Sequence, residues 1–378
     1  MADASAGSAP RAFAALLAGG GSGGHVFPAL AVATELAREG WRVSWAGSAQ
    51  GMEGRLVPTR GIVFHDLPAR PMVGHAWSAR LSALATLARS TWKARAVVRR
   101  EAIDVVLGTG GYASAPAVLG ARLAGRPALL VEPNAHAGAA NRWLSRFAAG
   151  AAVAYPETAS ELACPSEVTG VPVREELFAV PALAADAGPL RLLVLGGSQG
   201  ARRLNELLPA ALAALTRSAP GIAAGVRVVH QCGASHLEVT RAARAMHGLA
   251  PERYEVVAFL DDVAAALAGA DLIVSRAGAI TLAELCAAGR PALLLPLALA
   301  GGHQIDNARR LEHAGAARLL LDAEATPAAV ASALAELVGE RQTLVAMAAA
   351  ARTLAHPGAA AAIAALARLV VERRRRAA

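Results

Sequence analysis

FAALLAGGGSGGHVFP, residues Phe13–Pro28, joins an apolar segment typical of a buried strand to a glycine-rich turn and the first residues of a helix. The same order returns about half a chain later, where Arg191–Leu195 (RLLVL) runs into Gly196–Asn205 (GGSQGARRLN). Backbone N–H groups at the start of a helix, with no Cβ in front of them, form a positively polarised seat for phosphate oxygens. Two such turns predict two nucleotide-binding α/β domains that face one cleft.

Strand-like and helical segments alternate along the chain, which predicts two Rossmann-like, doubly wound parallel-sheet domains. Pro209 lies within the helical pattern after the second turn and predicts a kink or a late helix start. The predicted strands of the first half are Phe13–Ala18, Arg42–Ala46, Ile62–Asp66, Val105–Gly108, Ala128–Val131 and Gly150–Ala154. Those of the second half are Leu190–Leu195, Val226–Gln231, Tyr254–Phe259, Leu272–Ser275, Ala292–Leu297 and Ala317–Leu321.

The composition limits the classes of function. A chain of 378 residues suits two domains, and we expect the boundary between them within Val168–Arg174. The three cysteines are scattered without a CxxC pair, which argues against a disulfide framework or a zinc site. No apolar run approaches the ~18 residues that a membrane-spanning helix needs, and we expect residues 1–11 to form a disordered tail. The net charge of +8 predicts an anionic partner, which charge alone does not identify as nucleic acid, lipid or phosphorylated substrate.

A dinucleotide site has to be weighed first, because Gly19, Gly21 and Gly24 satisfy the GxGxxG pattern. Such a site also needs an acidic residue at the end of the second strand to hold the ribose hydroxyls. That strand ends here in Gly47 and Ser48, which counts against an oxidoreductase. A purely structural glycine turn is the other alternative.

Three segments carry side chains suited to substrate chemistry. His25 follows the first turn and is either a proton acceptor or a residue that orients the loop. Glu284, within Ser275–Gly289, has the carboxylate that a ribose cis-diol binds, or is a solvated helix residue. Gln304, in Gly301–Asn307, suits either sugar hydroxyls or helix capping.

No metal or other cofactor is predicted, because the sequence lacks an Asp-x-Asp pattern. The single pair of adjacent aspartates, Asp261–Asp262, stands where an aspartate would cap the next helix. A departing nucleotide diphosphate would then be stabilised by helix N-termini and by Arg174 or Arg276.

The segment Arg70–Arg100 combines tryptophans and leucines with many cations. This mixture favours docking at an anionic bilayer. The alternative is an ordinary amphipathic helix that covers the sheet.

Seven motifs occur in a fixed order along nearly the whole chain. They are GGGSGGHVFPAL, GTGGYAS (Gly108–Ser114), EPN with NRWL (Glu132–Leu144), GVPVR (Gly170–Arg174), GGSQGARRLN, FLDD (Phe259–Asp262) and SRAGAITLAEL. Together these motifs resemble the MurG family of bacterial peptidoglycan glycosyltransferases. Some positions depart from the usual family pattern: Val131–Asn134 reads VEPN in place of HEQN, Val171 replaces an asparagine, and His303 replaces a glutamine.

The resemblance implies a GT-B fold. An N-terminal domain over 12–173 would bind the acceptor and the inner membrane, and a domain over 174–354 would bind UDP-N-acetylglucosamine. A helix within 355–378 would pack back on the first domain and end in the basic tail Arg373–Arg376. Carried over by motif, the donor contacts are Ser22, Gly23, Gly24, Asn134, Arg174, Ser198, Leu260, Ala279, Ile280, Thr281, Leu282, Ala283, Glu284 and Gln304.

The implied reaction is an inverting transfer of N-acetylglucosamine to lipid I, which makes lipid II on the cytoplasmic face of the bacterial inner membrane. We expect His25 to be the base and Glu132 to be the reserve candidate. The implied partners are the two substrates, anionic inner-membrane lipids and proteins of cell-wall synthesis or division, and no nucleic acid. The alternative is a GT-B transferase with another lipid acceptor, such as diacylglycerol.

Overall fold

The computed structural model describes residues 11–21, 23–69, 77–185, 188–197, 200–297 and 303–377. The chain folds into two compact units. The first contains Met1–Glu132, Ala137–Thr169 and Ala360–Ala378, and the second contains Pro133–His136 and Gly170–Ala359. The contacts therefore divide the chain after Thr169, within the expected boundary segment Val168–Arg174 and a few residues before the expected domain end at residue 173.

Each unit is built on a parallel sheet. In the described part of the first unit the strands are β1 (Ala14–Ala18), β2 (Arg42–Gly47), β3 (Val63–Asp66), β4 (Val105–Gly108), β5 (Ala128–Glu132), β6 (Gly150–Val153) and β7 (Ser166–Val168). In that of the second unit they are β8 (Leu190–Leu195), β9 (Val226–Gln231), β10 (Tyr254–Val257), β11 (Leu272–Ser275), β12 (Ala292–Leu294) and β13 (Ala317–Leu319).

Helices follow most of the strands. Six precede the second sheet: α1 (Gly23–Arg38), α2 (Met52–Leu56), α3 (Trp77–Arg100), α4 (Ser114–Leu123), α5 (Ala139–Leu144) and α6 (Pro156–Ala159), as far as the chain is described. The others are α7 (Arg202–Ser218), α8 (Pro220–Ala224), α9 (Leu237–Met246), α10 (Val263–Ala268), α11 (Ala279–Ala288), α12 (His303–His313), α13 (Pro327–Gly339), α14 (Arg341–Thr353) and α15 (Ala359–Arg376).

The central strands are buried on both faces, as expected for a sheet covered by helices on both sides. All five residues of β1 are buried. Because successive side chains point to opposite faces of a strand, Leu17 packs in the cluster that includes Ile363 of α15. Leu16 packs in the opposite cluster, which includes Val97 of α3. The C-terminal helix is thus part of the core of the first unit.

The two sheets share one topology. Their strand orders are β3-β2-β1-β4-β5-β6-β7 and β10-β9-β8-β11-β12-β13. In the first sheet the chain adds β2 and β3 on one side of β1 and then returns to form β4 on the other side. In the second sheet β9 and β10 lie on one side of β8, and β11 lies on the other. In such sheets a ligand binds in the crevice beyond the carboxyl ends of these two neighbouring strands. Both glycine-rich turns follow β1 or β8 and so lie at this switch point of their own unit.

The predicted pair of Rossmann-like parallel-sheet domains is confirmed, and every predicted strand is present with end shifts of a few residues. Sequence reasoning missed β7, whose three residues (Ser166–Val168) are largely exposed. Helix α7 continues through Pro209 from Arg202, so the predicted late start is wrong. Among the described helices, none is long and apolar enough to cross a bilayer.

Candidate functional site

His25 lies in the first turn of α1, at the switch point of the first sheet. Its Nδ1 is 2.8 Å from the backbone oxygen of Thr109, just beyond the end of β4. A carbonyl oxygen only accepts hydrogen bonds, so Nδ1 carries the proton and the neutral ring keeps its lone pair on Nε2. The Thr109 hydroxyl donates in turn to the backbone oxygen of His25 at 2.9 Å. The ring is therefore oriented through one nitrogen and has a basic second nitrogen.

The loop after β4 packs directly on the first glycine turn. Gly110 and Gly111 adopt left-handed backbone conformations with φ of 91° and 74°. A Cβ on Gly110 would lie 2.9 Å from Cε1 of His25 and 3.7 Å from Nδ2 of Asn141, and one on Gly111 would lie 2.6 Å from the Gly20 oxygen. Only glycine satisfies both the conformation and the spacing. The motif GTGGYAS thus serves the close approach of two loops around His25.

Glu53 is a residue of this site that sequence reasoning did not single out. Its side chain extends from α2 beneath the first glycine turn and is 1% exposed. Oε2 accepts the backbone N–H of Gly21 at 3.1 Å, and Oε1 accepts that of Ser48 at 3.1 Å. The Gly21 amide is one of the backbone N–H groups that we expected to bind phosphate. It donates to a carboxylate instead. Ser22 lies outside the described residues, and the donor contacts of Gly23 and Gly24 stay predictions.

Glu132 ends β5 in the same unit and is 2% exposed. Its Oε2 accepts hydrogen bonds from the Gly138 backbone at 2.9 Å and from Nδ2 of Asn141 at 3.0 Å. These contacts hold the start of α5 against the strand and favour an orienting role. The role of Glu132 as a reserve base stays a prediction.

The second glycine turn is held by a neutral side chain. Oε1 of Gln231, at the end of β9, accepts the Gly197 backbone N–H at 3.0 Å, and Nε2 donates to the oxygens of Gly197 and Ala258. Gly200 has a φ of 75°, and a Cβ there would overlap the backbone oxygen of Cys232. Ser198 lies outside the described residues, so its predicted donor contact remains a prediction.

A buried polar network lies behind this second turn. Nδ2 of Asn205 donates to the Cys232 backbone oxygen at 3.0 Å, so its Oδ1 is the atom that accepts from Nε2 of His230 at 3.0 Å. Nδ1 of His230 then accepts from the Tyr254 hydroxyl at 2.8 Å. Burial lowers the pKa of His230 to about 4, and the imidazole is neutral at physiological pH. The network connects the start of α7 to β9 and β10.

Helix α11 carries the predicted ribose-binding stretch Ala279–Glu284 at the switch point of the second sheet. Glu284 lies in its second turn, and Nη2 of Arg174 donates to its Oε1 at 2.7 Å. Burial raises the pKa of Glu284, and the neighbouring Arg174 opposes that rise. Ser275, at the end of β11, is 1% exposed, and its hydroxyl has no hydrogen-bond partner in the described part of the chain. The structure thus brings two of the predicted donor contacts, Arg174 and Glu284, into direct contact, and their roles in donor binding stay predictions.

Asn134 lies in the short segment Pro133–His136, which packs within the second unit. Asn307 of α12 is fully buried and holds this segment. Its Oδ1 accepts the Ala135 backbone N–H at 2.9 Å, and its Nδ2 donates to Oδ1 of Asn134 at 3.4 Å. Sequence reasoning quoted Asn307 only as the end of a motif, although its neighbour Gln304 was singled out.

The remaining candidates divide between binding and structural contacts. Gln304 accepts the Leu297 backbone N–H at 2.9 Å through Oε1, a contact that fits the capping interpretation. Leu260 is half-buried in the loop after β10. Asp262 caps α10 by accepting the Ala265 N–H at 2.8 Å, as predicted. Arg276 donates to Asp322 at 2.8 Å and to the Leu295 oxygen, so its guanidinium already has a structural role.

No group of three or more histidine, cysteine or acidic side chains that could hold a metal ion occurs in the described ranges. The groups assembled at the two switch points are an imidazole, a carboxylate–guanidinium pair and backbone amides. Such groups can move a proton, bind a sugar diol and neutralise phosphate charge.

Two family descriptions match most of the chain. Residues 15–153 match the glycosyltransferase family 28 N-terminal domain. Residues 191–363 match the glycosyltransferase family 28 C-terminal domain.

Named relatives cover nearly the full length. A protein of Halorhodospira halophila is 43% identical over 355 residues, which are 91% of this chain and 94% of that protein. A protein of Yersinia enterocolitica is 41% identical over 344 residues, 90% of this chain and 93% of its own length. Both are named UDP-N-acetylglucosamine–N-acetylmuramyl-(pentapeptide) pyrophosphoryl-undecaprenol N-acetylglucosamine transferase.

Solved structures also match the chain over nearly its full length. The crystal structure of Acinetobacter baumannii MurG is 34% identical with a TM-score of 0.76, and the match covers 95% of this chain and 99% of that one. The calicheamicin glycosyltransferase CalG4 matches with a TM-score of 0.64 over 96% of this chain and 99% of its own. At 17% identity, the second likeness concerns the fold alone.

Proposed function

Because this chain belongs to glycosyltransferase family 28, as a member of the MurG family, we propose that it transfers N-acetylglucosamine from UDP-N-acetylglucosamine to lipid I. Lipid I is undecaprenyl-pyrophosphoryl-N-acetylmuramoyl-pentapeptide, and the product is lipid II of peptidoglycan synthesis. The observation that carries this function is the 43% identity over 91% of the chain to a relative named for that reaction. The GT-B arrangement of two Rossmann-like domains supports it.

The transfer is a single displacement with inversion. The 4-hydroxyl oxygen of the muramoyl sugar attacks the anomeric carbon of the donor, a new C–O bond forms, and the bond to the diphosphate oxygen breaks. Nε2 of His25 takes the hydroxyl proton, because Nδ1 is committed to the Thr109 oxygen at 2.8 Å. A positioned base of this kind contributes roughly 10²–10⁴ in rate.

Most of the proposed donor contacts lie in the second unit. Glu284 accepts hydrogen bonds from the ribose hydroxyls, and the main chain at Leu260 contacts the uracil. Arg174, which donates to Glu284, has the forked guanidinium that suits diphosphate oxygens. The second glycine turn adds backbone amides, and its supporting side chain, Gln231, carries no opposing charge. UDP leaves as an anion stabilised by these groups.

Because lipid I is held in the membrane by its undecaprenyl chain, we propose that the protein docks at the cytoplasmic face of the inner membrane. On α3, Leu81, Leu84 and Trp92 are exposed by 61%, 49% and 60%. Arg95 stacks over the Trp92 ring at 5.2 Å, and Lys93 and Arg99 are also exposed. Apolar side chains between cations suit an anionic bilayer surface. Residues 70–76 of the predicted docking segment lie outside the described residues.

Incubation of the purified protein with radiolabelled UDP-N-acetylglucosamine and lipid I tests the function. Label in the lipid fraction is the expected result. A parallel reaction with diacylglycerol tests the other GT-B acceptor, and label only in that reaction would replace lipid I. Binding of NAD without binding of UDP would instead revive the oxidoreductase.

A further inference from the structure

The buried carboxylate of Glu53 has no role in the reaction as described above. We propose that Glu53 is a positioning residue for sugar transfer, because it fixes the glycine turn that leads into His25. This inference rests on the proposed function of His25 as the base. The residue acts through the backbone and does not itself touch either substrate.

Glu53 joins two loops that follow neighbouring strands. The Gly21 amide belongs to the turn between β1 and α1, and the Ser48 amide belongs to the loop between β2 and α2. Each is donated to a different oxygen of the carboxylate at 3.1 Å. One side chain therefore sets the spacing between the glycine turn and the end of β2.

Three glycines bring the backbone close to the Glu53 side chain. A Cβ on Gly20 or on Gly51 would overlap the carboxylate, and one on Gly47 would lie 2.7 Å from its Cγ. Trp45 also donates from Nε1 to the Gly19 oxygen at 3.2 Å. The turn is thus held from below by Glu53 and Trp45, while the loop after β4 contacts it at Gly20 and His25.

The comparison with the second turn shows why the charge matters. There the equivalent bond, from Gly197 to Gln231, uses a neutral amide. A carboxylate is a stronger acceptor than an amide, and its negative charge opposes the positive polarisation at the start of α1. The first turn is therefore built for stiffness beneath His25, whereas the second turn keeps its attraction for phosphate.

Replacement by glutamine tests the role, because Glu53→Gln keeps the shape but puts an amide NH2 against a backbone N–H. The two facing donors displace a loop, and a displaced base lowers kcat by roughly 10- to 100-fold. The KM for UDP-N-acetylglucosamine stays within about threefold, because most of the predicted donor contacts, among them Arg174, Leu260 and Glu284, lie in the second unit. Steady-state transfer to lipid I gives both constants, and urea unfolding gives the stability.

Asp104 provides a matched control, because it holds the backbone at the beginning of β1, whereas Glu53 holds the turn that follows β1. It is 5% exposed, and its Oδ2 accepts the Ala14 backbone N–H at 3.0 Å. Asp104→Asn is expected to lower the urea midpoint as Glu53→Gln does, with kcat unchanged. Equal losses of kcat in the two variants would reduce Glu53 to a stabilising residue and overturn the proposal.

A double variant separates this inference from the role of the base. If Glu53 acts through His25, adding Glu53→Gln to His25→Gln lowers kcat by no more than about twofold further. Full additivity would overturn the proposal, whereas an active His25→Gln would overturn the base instead. If Glu53→Gln does not fold, Glu53→Asp, which keeps the charge on a shorter side chain, is measured against the same criteria, and a kcat equal to that of the unmodified protein overturns the proposal.

Discussion

Arg174 and Glu284 form an ion pair in which Nη2 of the arginine lies 2.7 Å from Oε1 of the glutamate. Both side chains are largely shielded from solvent, with 32% and 16% of their surfaces exposed. The pair connects the beginning of the second unit to α11. It also orients a carboxylate at the place proposed for the donor ribose.

Glu284→Gln is expected to raise the KM for UDP-N-acetylglucosamine by roughly 10- to 100-fold, because hydrogen bonds to a charged acceptor contribute about 1.5–3 kcal/mol. The kcat at saturating donor changes little, since the ribose does not take part in bond exchange. Inhibition by UDP and by 2′-deoxy-UDP checks the assignment. The unmodified protein should prefer UDP, and the variant should bind both alike. An unchanged preference in the variant would contradict the ribose contact, and Glu336→Gln is the control on the same unit.

The pH dependence of donor binding follows from the same carboxylate. Burial raises the pKa of Glu284 above its ordinary value of 4.5, against the effect of Arg174. As pH falls, this group takes up a proton earlier than an exposed glutamate does and stops accepting from the ribose. As the pH is lowered, the KM of the unmodified protein for the donor should therefore begin to rise while the pH is still above 4.5. Glu284→Gln should remove that rise. A parallel rise in both proteins would assign it to another group.

His25→Ala is expected to lower kcat by about 10²–10⁴-fold, because it removes the imidazole that takes the proton from the attacking hydroxyl of lipid I. The KM for UDP-N-acetylglucosamine should stay within about threefold. His65→Ala, a half-buried histidine on β3 of the same unit, is the matched control and should leave kcat unchanged. Turnover of His25→Ala within a few-fold of normal would remove this residue from the role of base.

Trp92→Ala should weaken binding to vesicles that contain anionic lipid, because an exposed tryptophan with cationic neighbours is removed from α3. Lys93→Glu should weaken it further, by about 1 kcal/mol or more. Cosedimentation with vesicles of phosphatidylglycerol and phosphatidylcholine measures both. Met246→Ala removes an apolar side chain of the second unit that is 81% exposed and should change nothing. Equal effects of Trp92→Ala and Met246→Ala would contradict docking through α3.

The local pattern of the sequence was enough to predict the strands. Leu190–Leu195, Val226–Gln231 and Leu272–Ser275 agree with the structure at both ends, because each contains at least three apolar, strand-forming residues in a short segment. The three residues of β7 carry no such signal. Pro209 illustrates a different limit, since the packing of Leu204, Leu208 and Leu212 in the core keeps α7 helical through the proline.

Contacts between distant parts of the chain account for what the sequence did not predict. Glu53 lies 32 positions from Gly21, and Asn307 lies 172 positions from Ala135. Neither pair has a local pattern, because the fold alone brings them together. The two glycine turns therefore looked equivalent in the sequence, whereas their supporting side chains, Glu53 and Gln231, differ in charge.

The network behind the second glycine turn makes stability depend on pH. His230 is fully buried, and burial lowers its pKa from 6.5 to about 4. The unfolded chain binds a proton below pH 6.5 and the folded protein does not, so this contribution is complete above pH 6.5 and is lost as pH falls towards 4. The loss amounts to about 2 kcal/mol by pH 5.

His230→Gln isolates this contribution, because glutamine does not titrate in that range. The variant should be less stable at pH 7 by about 1–3 kcal/mol, since one of its two buried partners, Asn205 or Tyr254, loses a hydrogen bond. Its deficit should then shrink by about 2 kcal/mol between pH 7 and pH 5. Urea unfolding at several pH values measures the difference, and His313→Gln, an exposed histidine at the end of α12, should show no such change. A deficit that stays constant with pH would mean that the folded protein takes up this proton as readily as the unfolded chain, and would contradict a lowered pKa of His230.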